Sequence, residues 1–272
     1  MTRYDMTMSS TFAPGKIILS GEYAVLFGHP GLAVPSTMGI HASFAEDRSR
    51  GGVMLQWPEL PDSWKTFAAT IITECAAIKG DALRGTLTIE NALPLGKGMG
   101  SSTALVIAIT RALLGDESDA QAKTIEDRMN PGHSGLDFAV IWHNQPVRFI
   151  RDQHPEFVTL PSDLLHGAEL IDTGAPEQTT SQLVEWVKSR EADLHEPLQI
   201  IADCADRLLS GESPLTVFPD HHRAQVQLGV VPPAVQELIT GIERGGGAAK
   251  VIGAGGRTGG GGMVLAFPGA KT

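Results

Sequence analysis

Hydrophobic positions along the chain change period several times, and the changes mark out both strands and helices. Residues 16–20 and 32–44 carry runs of Ile, Leu and Val suited to strands, punctuated by Gly21, Gly28 and Pro30. Residues 54–57 add a short strand. Over 63–79, Phe67, Ile71, Ile72, Ala76 and Ile78 recur near helical spacing, with Ser63 placed to cap the start and Gly80 closing the helix. Residues 87–90 alternate as a strand and enter a glycine-rich turn that leads into a helix over 101–114. A helical piece near 119–129 follows. The apolar run 138–142 reads as a strand, paired with 146–150 in a hairpin. Polar, proline-containing sequence after residue 150 marks a boundary. Beyond it come a strand at 168–172, helical stretches at 177–190, 193–210, 219–228 and 232–244, and a closing strand, glycine loop and strand over 250–267. The order mixes strands and helices without the regular alternation of a doubly wound sheet, and two domains are expected, 10–150 and 151–272.

Composition narrows the classes of partner. A chain of 272 residues with 42% hydrophobic and 19% charged residues has the make-up of a globular protein able to bury a sizeable core. No apolar run reaches the roughly 18 residues of a membrane span. Residues 1–10 lack the apolar core of an export signal, so the cytoplasm is the expected compartment. Cys75 and Cys204 lie in helical stretches without metal-knuckle or redox spacing and read as packed thiols. The formal charge of −10 disfavours nucleic acid or an anionic membrane as partner. It still allows a small polyanion bound where a few cations and backbone amides converge.

Four segments carry candidate chemistry. In Pro94-Leu-Gly-Lys-Gly-Met-Gly-Ser-Ser102, glycines alternate between a strand and a helix, so backbone N–H groups can turn inward on an anion at the helix start. The bland reading is a structural turn with serine caps. The loop is not G-x-x-x-x-G-K-[ST], since no lysine follows its last glycine. Lys16, Glu126 and Asp137, taken singly, read as a solvated cation, a helix carboxylate and a loop cap. Thr179 and Thr180 precede an amphipathic helix, where capping alone would explain them. His133 and His143 have no recognised ligand spacing.

Together these segments resemble the motifs of GHMP kinases, in family order from residue 12 to 267. Ala13-Pro-Gly-Lys16 with Gly21-Glu-Tyr-Ala-Val25 is similar to the first motif, and the loop at 94–102 to P-x-x-x-G-[LM]-G-S-S. Glu126 followed eleven positions later by Asp137 in His133-Ser-Gly-Leu-Asp is similar to the third, and the glycine loop from Gly253 to the last. The resemblance is strongest to the mevalonate kinase branch. It implies a two-domain α+β architecture, with an N-terminal domain like ribosomal protein S5 domain 2 and a ferredoxin-like C-terminal domain, and ATP with Mg2+ as cofactors. Pro94, Gly96, Lys97, Gly98, Met99, Gly100, Ser101 and Ser102 are implied to hold the triphosphate, with Ser102 and Glu126 on the metal. Lys16 and Asp137 would stand at the acceptor hydroxyl, the lysine stabilising charge and the aspartate orienting or deprotonating. Glu22, Tyr23, Thr180, Gly253 and Ala254 would face the substrate, which the resemblance implies is mevalonate. A homodimer is the assembly considered.

The sequence also departs from the family pattern. His133 stands where proline is usual, and Tyr23 where many mevalonate kinases carry histidine. The segment between Gly115 and Glu126 is short, and the last glycine loop is two or three residues longer, with Arg257 and Thr258 inside it. Arg257 would touch phosphate or face solvent. The alternatives implied are a phosphomevalonate kinase or another small-molecule kinase of the family, and, from a different class, a nucleotide sensor without catalysis.

Overall fold

A computed structural model describes residues 8–58, 61–80 and 83–269. Residues 1–7, part of the stretch read for an export signal, and 270–272, the end of the expected second domain, lie outside the described residues. The chain divides into two compact units, neither of them continuous. The first holds Met1–Gly15, Ser36–Leu93 and Ser101–His133; the second holds Lys16–Pro35, Pro94–Gly100 and Ser134–Thr272. Residue 150 falls inside the second unit.

In the first unit, the long strands β1 (Met8–Ser20) and β2 (Gly31–Glu46) contribute residues up to Gly15 and from Ser36. β2 pairs antiparallel with β4 (Gly85–Asn91), Ile40 opposite Asn91 and Glu46 opposite Gly85. β3 (Val53–Gln56) lies parallel on the far side of β4. Leu87 and Ile89 point from β4 into the core, with Ala42 and Phe44 from β2. Three helices complete the unit: α1 (Asp62–Lys79), α2 (Ser101–Leu114) and α3 (Asp119–Met129). Pro61, not Ser63, stands at the cap of α1, where a missing N–H costs nothing. α2 is buried around most of its circumference, the pattern of a helix enclosed on all sides.

In the second unit, Gly31–Ala33 of β2 pair with β5 (Val147–Phe149), which pairs with β6 (Glu156–Phe157). The run 138–142 is not a strand. It lies within α4 (Leu136–His143), entered through Gly135 at φ 94 and left through Asn144 at φ 51. Periodicity cannot separate a short buried strand from a short helix buried on every face, and here two left-handed ends close the helix. The remainder is a three-stranded antiparallel sheet in the order β7-β9-β8, from β7 (Glu169–Asp172), β8 (Ala248–Val251) and β9 (Met263–Phe267). Four helices intervene: α5 (Thr180–Lys188), α6 (His195–Leu209), α7 (Pro214–Leu228) and α8 (Pro233–Arg244). α7 starts five residues before the expected 219, because Ser213 caps it and Pro214 fits its first turn. Pro219 is then carried inside the helix.

Two apolar clusters hold this unit. One gathers Leu183 and Val187 of α5, Leu198 and Ile201 of α6, and Ala224 and Leu228 of α7 around Tyr23 and Ala24. The other packs Val235 and Ile239 of α8 on Ala249, Val251, Val264 and Ala266 of the sheet. The α+β class read from the sequence is the observed one.

Candidate active site

Lys16 and Asp137 meet in the second unit. Lys16 lies in β1 with its side chain buried, and its Nζ donates to the main-chain O of Gly98 at 2.9 Å and stands 3.5 Å from Asp137 Oδ1. Asp137 enters from the first turn of α4, the one acidic residue among the apolar side chains of that helix. Backbone geometry fixes the pair: Lys16 N–H donates to Met99 O at 3.0 Å, tying β1 to the loop 94–100. Gly96, Gly98 and Gly100 all take positive φ (71, 88 and 74), a path that side chains resist. At Gly98 glycine is required for space as well, since a Cβ would lie 2.4 Å from Ile252 O. The result is a loop whose carbonyl grips the lysine and whose next residues open α2. Lys97 in the same loop is held by an ion pair with Asp172 at the end of β7.

In the first unit, Ser102 is the second residue of α2, and Glu126 lies on α3 almost fully buried. Thr103 Oγ1 donates to Glu126 Oε1 at 2.7 Å and Asn130 Nδ2 to Oε2 at 2.9 Å, fixing the carboxylate. A carboxylate is a hard oxygen ligand of the kind Mg2+ takes, the role that the resemblance implies for Glu126. Among the described residues, no three His, Cys, Asp or Glu side chains form a self-sufficient metal cluster. His133 hydrogen-bonds Asp127 at 2.7 Å, a local structural contact.

Glu22 and Tyr23, which the resemblance implies face the substrate, are both buried. Glu22 is fully buried in an ion pair with Lys250 of β8, whose Nζ also donates to Ile18 O at 3.0 Å. Its other oxygen lies 3.1 Å from His221 Nε2. Burial by itself would raise the Glu22 pKa, but Lys250 and His221 together outweigh it and hold the carboxyl down at about 2. Burial, and then Lys250, push His221 to about 4, so the imidazole is neutral at neutral pH and Lys250 carries the compensating charge. Tyr23, at φ 66 and ψ −45, is the centre of a tight turn in which Ala24 N–H donates to Glu22 O at 2.8 Å. This three-residue turn is of the rare, strained kind, costing on the order of 1–3 kcal/mol. The Tyr23 hydroxyl donates to Ala254 O, anchoring the turn to the last glycine loop. Thr180 is exposed at the first position of α5, while Thr179 caps the helix in a reciprocal box with Gln182. Cys75 and Cys204 are buried, and burial raises both thiols to about 11.

Residues 66–136 match the family described as GHMP kinases N terminal domain. The mevalonate kinase of Archaeoglobus fulgidus is 27% identical to this chain, over 95% of it and 92% of the relative. Among solved structures, L. major mevalonate kinase in complex with R-mevalonate superposes with a TM-score of 0.78 at 18% identity, covering 100% of this chain and 90% of that one. Streptococcus pneumoniae phosphomevalonate kinase in complex with phosphomevalonate and AMPPNP gives 0.71 at 16% identity, over 96% and 92%. The chain has the GHMP kinase fold.

In this GHMP kinase fold, several supporting residues escaped the sequence reading. Lys250 was the most legible of them, a lone cation in an otherwise apolar strand, which demands a buried partner. Thr103 and Asn130 lie a helix turn or less from residues already singled out, and helical spacing alone could have nominated Asn130 against Glu126.

Proposed function

We propose that this chain is an ATP-dependent mevalonate kinase, transferring the γ-phosphoryl of ATP to the primary hydroxyl of mevalonate to give 5-phosphomevalonate. The observation that carries the reading is the Lys16–Asp137 pair held against the Gly98 carbonyl of the glycine loop. Asp137, partly open to solvent, accepts the hydroxyl proton as the alcohol oxygen attacks the γ-phosphorus. The bond from that phosphorus to the bridging oxygen breaks, and ADP leaves with the electron pair. Lys16 stabilises the negative charge spread over the transferring group. The amides of the loop 94–100 and the first turn of α2 cradle the remaining phosphates. Mg2+, assigned to Ser102 and Glu126, would neutralise triphosphate charge when bound.

The relatives named mevalonate kinase support this acceptor over the alternatives. Phosphomevalonate as acceptor is the second reading, favoured by Tyr23 in the place where histidine is usual. A coupled ADP-release assay with mevalonate and phosphomevalonate offered in turn decides between them. Turnover with mevalonate is expected. Turnover with phosphomevalonate alone would move the assignment to the next kinase, and ATP binding without transfer to any alcohol would make the chain a sensor.

A further inference from the structure

The glycine loop from Gly253 to Gly262 touches the loop 94–100 backbone to backbone. A Cβ on Gly253 would lie 2.7 Å from Gly98 Cα, and one on Gly262 2.8 Å from Lys97 O. Met263 N–H donates to Lys97 O at 3.0 Å. The position of one loop therefore sets that of the other. Yet the second loop is nearly without side chains: between its end glycines only Ala254, Arg257 and Thr258 have any. Such a chain has high conformational entropy and needs external fixing.

The fixing comes from the segment leading into α5. Gln178 Oε1 accepts from Arg257 N at 2.9 Å and Thr258 N at 3.2 Å, and its Nε2 donates to Thr258 Oγ1 at 2.6 Å. The Thr258 hydroxyl donates onward to Glu177 Oε2 at 2.6 Å. The Arg257 guanidinium lies over the Trp186 ring of α5, 3.8 Å from its centroid. At the far end of the loop, Thr173 Oγ1 accepts from Gly261 N at 3.0 Å and donates to Gly262 O at 2.7 Å. Arg257 and Thr258 lie inside the loop that is longer than the family pattern, and both are spent on the latch.

We propose that Gln178 and Arg257 are positioning residues: they clamp the second glycine loop and thereby hold the loop 94–100 in its anion-binding shape. Neither touches the reacting atoms. The proposal rests on reading 94–100 as the triphosphate cradle, and its test reads nucleotide affinity so that it does not depend on which alcohol is phosphorylated.

The experiment is calorimetric titration of Mg·AMPPNP into the full chain and its variants, with melting temperatures measured in parallel. Gln178→Ala is expected to weaken binding about tenfold, the order of loss a small displacement of a binding loop produces. Gln178→Glu recovers part of it, because a carboxylate still accepts from both amides. Arg257→Ala costs about threefold through the lost cation–π contact, and Arg257→Lys less. In turnover, KM for ATP rises while KM for the acceptor stays within twofold. Wild-type affinity in Gln178→Ala and Arg257→Ala would overturn the proposal, as would a lowered melting temperature with unchanged affinity. Wild-type chain that binds Mg·AMPPNP but phosphorylates nothing sinks the kinase assignment, while the latch is still judged by affinity. Wild-type chain that does not bind it sinks both.

Discussion

Two ion pairs in the second unit, Glu22–Lys250 and Lys16–Asp137, use the same chemistry to opposite ends. The first has side chains 2% and 0% exposed, and the lysine has a second acceptor in Ile18 O. The second is slack, 3.5 Å between charged atoms, with the carboxylate 32% exposed. A fully buried pair cannot exchange a proton or move toward a substrate without uncovering a charge, which suits it to holding structure. It holds the strained turn at Tyr23 and joins it to β8. A slack pair with a partly open carboxylate leaves that carboxylate within reach of a third group. The difference teaches that a carboxylate named in a motif can be committed to the frame, as Glu22 is, or left partly open, as Asp137 is, and the proposed reading assigns the reaction to the open one.

The largest expected effect comes from breaking the buried pair. Lys250→Met leaves Glu22 charged and without compensation, and should destabilise the fold by about 3–5 kcal/mol in denaturant titration. The double change Glu22→Gln with Lys250→Met should regain part of that loss. If Lys250→Met unfolded no more easily than wild type, the contrast drawn between the two pairs would be wrong.

Acid sharpens the same contrast by a smaller amount. His221 and His222 are both depressed to about 4 by burial, against about 6.5 in the unfolded chain. Between those values the unfolded state binds more protons. The stability they contribute is therefore complete above pH 6.5 and lost as pH falls toward 4, by on the order of 2 kcal/mol for each group. Glu22 adds a further loss between pH 4.5 and about 2, where it stays ionised only in the fold. Melting temperature followed from pH 7.5 to 4 should fall, and His222→Asn should flatten the slope.

The smallest effect belongs to the exposed pair of Lys97 and Asp172. Hydrogen bonds from the Lys97 ammonium and Gly174 N–H lower the Asp172 pKa, but solvent screens a carboxylate that is nearly half exposed. Asp172→Asn should shift stability by less than about 1 kcal/mol. A loss comparable to that of Lys250→Met would show that exposure is not what separates the pairs.

How much of this was legible in the sequence follows from how local each feature is. The helices over 62–79, 101–114 and 233–244 were readable because period and terminal residues agree over several turns. The glycine loop and the Lys16–Asp137 pairing came from motif order. Misread were features that tertiary context decides. The run 138–142 is apolar on every face, so nothing in its period favours helix over strand, and α7 begins upstream because Ser213 caps it. Glu22 belonged to a motif that the resemblance places at the substrate, and nothing in that motif pointed to its partners His221 and Lys250, far along the chain on α7 and β8. Gln178 gave no sign at all, since a polar residue before a helix reads as surface until a glycine loop is packed against it.

The central claim is that Asp137 is the working carboxylate of a phosphoryl transfer to an alcohol. Single-turnover transfer from γ-labelled ATP to mevalonate by wild type and Asp137→Asn, with Mg·AMPPNP affinity measured alongside, tests it most directly. The account predicts labelled phosphomevalonate from wild type, and a rate about 10²–10⁴-fold lower in Asp137→Asn at unchanged nucleotide affinity. Equal transfer rates from the two proteins would contradict it.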